Sequence, residues 1–381
     1  MKQNDNMKDT FNTNLADSQA TQVVPIAPER FDTARYADYA AALESRCADF
    51  WAADEGVLVY RRMRVKEVFA EDCKDMKRSL EWQLGALEAS MRFEADIPNF
   101  LEPWYGLGTV ASAYGFGYRW EEGLAPAVDG KFGSTAELVA APYRPVAETP
   151  IGRHTLDMTE YFLEKTRGAV PMSYCDVQSP LNTLSNIIDS NQFYLDFYLD
   201  PEAMTVAMER TADLLADFTE EQRRLIGAAL VKPGHGFASS RCFDGLGMSD
   251  DTVTMLSPDI YFPVAVPAMQ RAGARFGGSV FHSCGNWSDK KEEIARIEGL
   301  RMADGAFSLA TDPGANPVEG FAEAFAGSRV VLNARIVGPA EVVCEKVQAL
   351  WRKGMKLIVV TYCETPEEQA DVYRKIHEIC K

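Results

Sequence analysis

The sequence predicts an α/β chain, a (β/α)8 barrel of the TIM type with an N-terminal helical extension. Three observations predict it. Short apolar strands alternate with amphipathic helices from residue 170 to the C-terminus. The strands read as apolar throughout, as strands buried on both faces do. No strong dinucleotide fingerprint opens the alternation, which favours a closed barrel over an open doubly wound sheet.

The elements follow in order. Residues 1–25 form a polar lead-in rich in Asn, Asp, Thr and Gln, expected to be disordered and without the apolar stretch of a secretory signal. Residues 26–381 are expected to form a single domain. Residues 36–53 read as helix and Val57–Tyr60 as strand. The spacing of Val65, Phe69, Met76, Leu80, Leu84, Leu87 and Met91 predicts one long amphipathic helix. Ala169–Asp176 reads as a strand. Asp200-Pro201 opens a helix running to Leu230, with Asp as N-cap and Pro at the first helical position. The next strand is expected at Gly236–Asp244, and Ser257-Pro258 opens the helix after it. Gly278–Cys284, Arg301–Asp304, Val330–Arg335 and Lys356–Tyr362 read as strands. Helices are expected to start at Asn316-Pro317, at Pro339 and at the capping box Thr365-Pro-Glu-Glu368. Gly106-Leu-Gly-Thr-Val-Ala111 matches a dinucleotide string, but no clean strand precedes it, so it reads as a tight turn entering a helix.

Composition narrows the function. The formal charge of −17 repels phosphate backbones and anionic lipid, so neither nucleic acid nor a membrane is the expected partner. A small anionic substrate in a locally basic pocket stays compatible with it. The eight cysteines, in a chain of this size, read as reduced, which points to the cytoplasm.

Only four histidines occur: His154, His235, His282 and His377. His282 and Cys284 stand two apart on a predicted strand, so both side chains point to one face. They sit at its C-terminal end, where barrel enzymes place their sites. Cys363 follows the last strand and is expected on the same rim. One imidazole and two thiolates suit Zn²⁺ with an open fourth position, in which a substrate thiol would be held as thiolate. Of the other histidines, His235 precedes a predicted strand, His377 reads as solvated on the last helix, and His154 as a loop residue.

Polar residues near strand ends complete the candidate site. Glu102, Asp176, Asp244, Asp304 and Asn333 could orient His282, fill the fourth metal position or handle a proton. Glu102 and Asp176 are the catalytic candidates; Glu102 stands in an apolar setting between Leu101 and Pro103, where a carboxylate needs a reason. Gln178, Asn182, Asp244 and Asn333 are the candidates for substrate contact.

Phe281-His-Ser-Cys-Gly-Asn286, Leu256-Ser-Pro-Asp259 and Cys363 together resemble the uroporphyrinogen decarboxylase superfamily. The resemblance is strongest to its zinc-dependent methyltransferases that work with corrinoid proteins, the methylcobamide:coenzyme M type among them. It covers the C-terminal two thirds well and extends loosely to Leu101–Gly108. It implies zinc on His282, Cys284 and Cys363, and methyl transfer between a corrinoid protein and a thiol or related small molecule. No Asp-x-His-x-x-Gly string occurs to ligate a corrinoid, so the corrinoid would arrive on a separate partner protein. A homodimer is a candidate assembly. The decarboxylases carry an Arg-Gln-Ala-Gly-Arg type loop, and Tyr60-Arg-Arg-Met-Arg64 lacks its glycine and second half. Metal-free decarboxylation, and a barrel that binds a corrinoid or its carrier without chemistry, are the rival readings.

Overall fold

The computed structural model describes residues 20–103, 106–121, 125–234 and 236–381. Trp104, Tyr105 and His235 lie outside the described residues. The same holds for most of the lead-in.

Six parallel strands form one continuous sheet. They are β1 (Gly56–Arg61), β2 (Leu246–Ser249), β3 (Ser279–Ser283), β4 (Leu300–Ala306), β5 (Val331–Arg335) and β6 (Lys356–Thr361), in the order β1-β6-β5-β4-β3-β2. Strand-like segments fill the arc between β2 and β1. Leu101 bridges Met172, Met172 bridges Leu230, and Gln178 bridges Ser249 of β2, all in parallel.

The contact with β1 uses one backbone bond and several side-chain bonds in place of a full ladder. Asp96 N–H donates to the Val59 carbonyl, and the Asp96 carboxylate accepts from Val59 N–H, both at 2.8 Å. Asn99 accepts from Met63 N–H and donates to the Arg61 carbonyl, both at 2.9 Å. These bonds bring residues 96–101 against the β1 edge of the sheet, in keeping with the expected barrel.

Strand alternation builds two layers of core. Leu58, Tyr60, Val280, Met302, Val331, Ile358 and Val360 fill the lumen. Val59, Phe281, Ala303, Leu332, Leu357 and Val359 face the outer helices. The N-terminal extension is α1 (Thr33–Ala52), capped by Asp32 accepting from Arg35 N–H. Its Cys47 and Phe50 join the lumen cluster, and Trp51 stacks on Phe243 with centroids 4.7 Å apart. Lys356, at the start of β6, donates to the Trp51 carbonyl. The helix therefore plugs the end of the barrel opposite the predicted site.

Several expectations are corrected. The long helix of residues 65–91 is broken into 3-10 turns at Lys66–Phe69 and Glu71–Lys74, then α2 (Met76–Ser90). Asp75 causes the break: its carboxylate accepts from Arg78 N–H and starts α2 afresh. Residues 20–26 are part of the fold. Thr21 N–H donates to the Arg64 carbonyl, Ile26 N–H to that of Glu81, and Gly85 is packed so close to Val24 that a Cβ would lie 2.1 Å from its carbonyl oxygen. The strand expected at 236–244 is a set of turns, and the ladder strand is β2. Asn316 does not start a helix; its side chain accepts from Trp287 N–H at 2.8 Å, and the helix begins only at Phe321–Phe325.

The helices α3 (Pro150–Thr166), α4 (Pro201–Ile226), α5 (Ala340–Leu350) and α6 (Pro366–Ile379) start as expected where a start was predicted. Asp200 accepts from Ala203 N–H, and Thr365 from Glu368 N–H. His154, read as a loop residue, falls within α3.

Candidate metal centre

Register assembles the site. On neighbouring strands, Ser249, His282, Asp304 and Asn333 stand side by side. Alternation turns His282, Asp304, Asn333 and Arg335 toward the lumen, in phase with Val280, Met302 and Val331. These residues sit at the C-terminal ends of their strands, and Cys284 follows directly on β3.

Asp304 is the hub. It is buried, accepts from Arg335 Nε at 2.9 Å, and is hydrogen-bonded to His282 Nδ1 and Asn333 Nδ2. Burial alone would raise its pKa, but the Arg335 guanidinium and His282 outweigh it and hold the carboxyl down to about 2. Burial disfavours a charged His282 ring, but Cys284 and Asp304 outweigh that and raise its pKa to about 10. With Nδ1 held by Asp304, the ring presents Nε2 to the rim. Phe237 packs edge-on against it, centroids 5.8 Å apart.

Two further ligand atoms converge in front of that nitrogen. Cys284 Sγ lies 3.3 Å and Asp251 Oδ1 4.0 Å from His282 Nε2. Asp251 Oδ1 also accepts from Cys284 N–H at 2.7 Å. The ligand atoms of Asp251, His282 and Cys284 all lie within 4.8 Å of one another, the one such group among the described residues. An imidazole, a thiol and a carboxylate, with the far ring nitrogen held by a second carboxylate, are the donor set and support that zinc takes. The metal-binding form of the ring is neutral at Nε2, so an ion here would displace a proton.

The predicted residues fare unequally. Cys363 is not brought to His282 and Cys284. Ile358 and Val360 face the lumen with Tyr362 packed beside them, while Leu357, Val359 and Cys363 face the outer layer. Buried there, and beside the charge of Glu368, its thiol is pushed up to about 12. Asn333 is buried and donates to Asp304 through Nδ2, so it supports His282. Asp244 sits at the opposite end of the barrel, just before β2, where it accepts from Lys232 Nζ at 2.8 Å. Shifting the strand from 236–244 to 246–249 moves this residue from one rim to the other.

Asp176, Gln178 and Asn182 form a buried relay. Gln178 donates to Asp176, Asn182 donates to Gln178 at 2.7 Å, and Asn182 Oδ1 accepts from Thr252 N–H at 2.9 Å and Oγ1 at 2.6 Å. The relay ends beside Asp251. Glu102 accepts from Gly236 N–H at 2.9 Å, and its backbone is pinned by Gln83. Its charge and Tyr362 raise the pKa of Arg62 against the opposing effect of burial. Glu102, Arg62 and Tyr362 thus share one electrostatic cluster.

Sequence matching then decides the family. The uroporphyrinogen decarboxylase (URO-D) family matches residues 50–304. The chain belongs to the uroporphyrinogen decarboxylase family. The URO-D fold is a TIM barrel, in agreement with the closure described above. Among solved structures, this URO-D protein is similar to a methyltransferase from Methanosarcina mazei. The two share 15% identity at a TM-score of 0.64, over 88% of this chain and 98% of that one. The carboxyl transferase domain of Rhizobium etli pyruvate carboxylase, solved with 3-hydroxypyruvate, aligns more loosely. There the identity is 7% and the TM-score 0.35, over 98% of this chain and 54% of that chain. No curated protein matches the URO-D chain.

Two site residues escaped the sequence reading. Asp251 follows Gly247-Met-Ser249, whose glycine hid the strand; a strand assigned there would have placed Asp251 on the rim. Arg335 ends a strand two residues after Asn333, and that spacing alone puts both on one face.

Proposed function

We propose that this URO-D family member is a zinc-dependent methyltransferase. It moves a methyl group between a corrinoid carried on a separate protein and a small-molecule thiol. The observation that carries the reading is the His282 ring, braced by Asp304 at Nδ1 and facing Cys284 with Nε2. A proton-transfer site would have no use for a thiol there, whereas a zinc ion takes one as a ligand. The fold likeness to a methyltransferase supports the same reading.

Zinc, when bound, would lower the pKa of a thiol and keep it nucleophilic at neutral pH. The chain's own residues set the stage for this. Asp304 fixes the ring, and Arg335 keeps Asp304 ionised, so His282 cannot rotate away. Phe237 walls the ring and limits water. Arg62, at the mouth beside Gly236, supplies positive charge for an anionic part of the substrate. Glu102, on the same cluster, is the proposed proton acceptor, and the Asp176–Gln178–Asn182 relay holds the rim that the substrate meets. The free state of all eight cysteines suits a reducing cytoplasm. No helix among the described residues is long and apolar enough to cross a membrane.

The test combines metal analysis with turnover. The purified protein should hold zinc near one per chain and move methyl from methylcobalamin to a thiol within a panel. His282→Ala and Cys284→Ser should each lose the metal and at least 100-fold in rate. Retention of zinc in both variants would sink the site. Uroporphyrinogen turnover by metal-stripped protein would replace this reading with a decarboxylase.

A further inference from the structure

We propose that the third protein ligand of the ion is Asp251, and that Cys363 stays outside the coordination shell. The proposal deepens the metal reading above and rests on it. Donor atoms around a tetrahedral zinc with ordinary bond lengths stand about 3.3–3.6 Å apart. The 3.3 Å from His282 Nε2 to Cys284 Sγ already falls in that range, and the 4.0 Å to Asp251 Oδ1 needs only a small contraction.

Asp251 is also held in place from both sides. Asp250 is buried and accepts from Ser179 Oγ at 2.5 Å and Tyr261 Oη at 2.7 Å, while its N–H donates to the His282 carbonyl at 2.7 Å. Thr252, on the other side, donates twice to the buried Asn182. Between these anchors Asp251 keeps 45% of its side chain exposed and leans onto Cys284 N–H. A carboxylate fixed at the rim beside a thiol and an imidazole is pre-organised for an ion.

Cys363 lacks such placement. Its side chain takes the outward parity of β6, and its carbonyl accepts from the buried Arg61 Nε at 2.8 Å. Bringing the thiol into the lumen would turn the backbone past Tyr362 and break that bond. A His–Cys–Asp shell has the same formal charge as a His–Cys–Cys shell. It donates less charge to the ion, so an incoming thiol is acidified more strongly.

The experiment loads the full chain with Co²⁺ in place of zinc. Thiolate-to-cobalt charge-transfer absorption grows with the number of thiolates bound. Wild type should show the intensity of one thiolate, lost in Cys284→Ser and unchanged in Cys363→Ala. Zinc affinity should fall at least tenfold in Asp251→Ala and less than threefold in Cys363→Ala. A two-thiolate spectrum in wild type that halves in Cys363→Ala overturns the proposal and leaves the metal reading intact. Failure of wild type to take up either metal overturns both. The wild-type spectrum decides the question even where a variant fails to fold.

Discussion

At the scale of single residues, Asp304 governs the site. It joins the His282 imidazole to the buried Arg335 guanidinium. Asp304 and Arg335 are both buried, with side chains only 1% and 4% exposed. Removing one charge of such a pair strands the other in a low-dielectric interior. Asp304→Asn should therefore cost about 3–5 kcal/mol of stability and about 10–100-fold in zinc affinity. In the double variant Asp304→Asn/Arg335→Met the stability should partly return while the affinity stays low. Urea unfolding and metal titration separate the two effects. Equal recovery of both would mean that Asp304 acts on the fold alone. Legibility in the sequence ran out at this scale with Cys363. Its position after a strand was readable, but which face it takes depends on how far β6 keeps its alternation.

At the scale of elements, the closure of β1 onto residues 96–101 depends on one carboxylate. Asp96 accepts from Val59 N–H, Tyr373 Oη at 2.7 Å, Arg46 at 3.1 Å and His377 Nε2 at 2.9 Å. It ties β1, α1 and α6 together, and it gives His377, read as solvated, a buried carboxylate partner while 32% of its side chain stays exposed. Burial raises the Asp96 pKa, but the bonds from His377 and Tyr373 outweigh it and hold the group below its ordinary 3.8. A lowered carboxylate pKa contributes stability above the unfolded value and loses it as pH falls through the folded one. Asp96→Asn should cost about 2 kcal/mol at neutral pH. That gap should persist down to about pH 4 and close as the pH falls further. Thermal melts across pH 2.5–7 measure it. A gap of constant size would remove the carboxylate's charge from the account. Elements with strong local signals, such as the capped α4 and α6, were legible in advance. The strand β2 was not, because Gly245 and Gly247 weaken the pattern. Gly247 is needed there: a Cβ would meet the Phe237 ring at 2.4 Å.

At the scale of the whole molecule, three strands and the loop after β2 contribute to one rim, so an ion bound there staples distant parts of the chain. Residues 251 and 335 are far apart along the sequence and reach one rim through the parallel pairing of neighbouring strands. Zinc at about 100 times its dissociation constant should add about 2.7 kcal/mol of stability. For 381 residues that corresponds to a rise in Tm of roughly 3 °C. A chelator should lower Tm by that amount, and added zinc should restore it. An unchanged Tm on chelation, with zinc verified by analysis beforehand, would mean that the ion binds folded and unfolded chains alike.

The sequence by itself determined the barrel class, the capped helix starts at Asp200 and Thr365, and the pairing of His282 with Cys284. Periodicity, capping chemistry and the two-residue repeat of a strand are local, and local rules hold before tertiary contacts form. Only the tertiary structure decided which carboxylates attend that pair. Register set Asp304 between His282 and Asn333, and two buried anchors turned Asp251 toward Cys284. The later start of β2 left Asp244 at the far end of the barrel, and the alternation of β6 sent Cys363 to its outer layer. Those outcomes depend on a strand's start and on its side-chain parity, and a shift of one residue reverses parity.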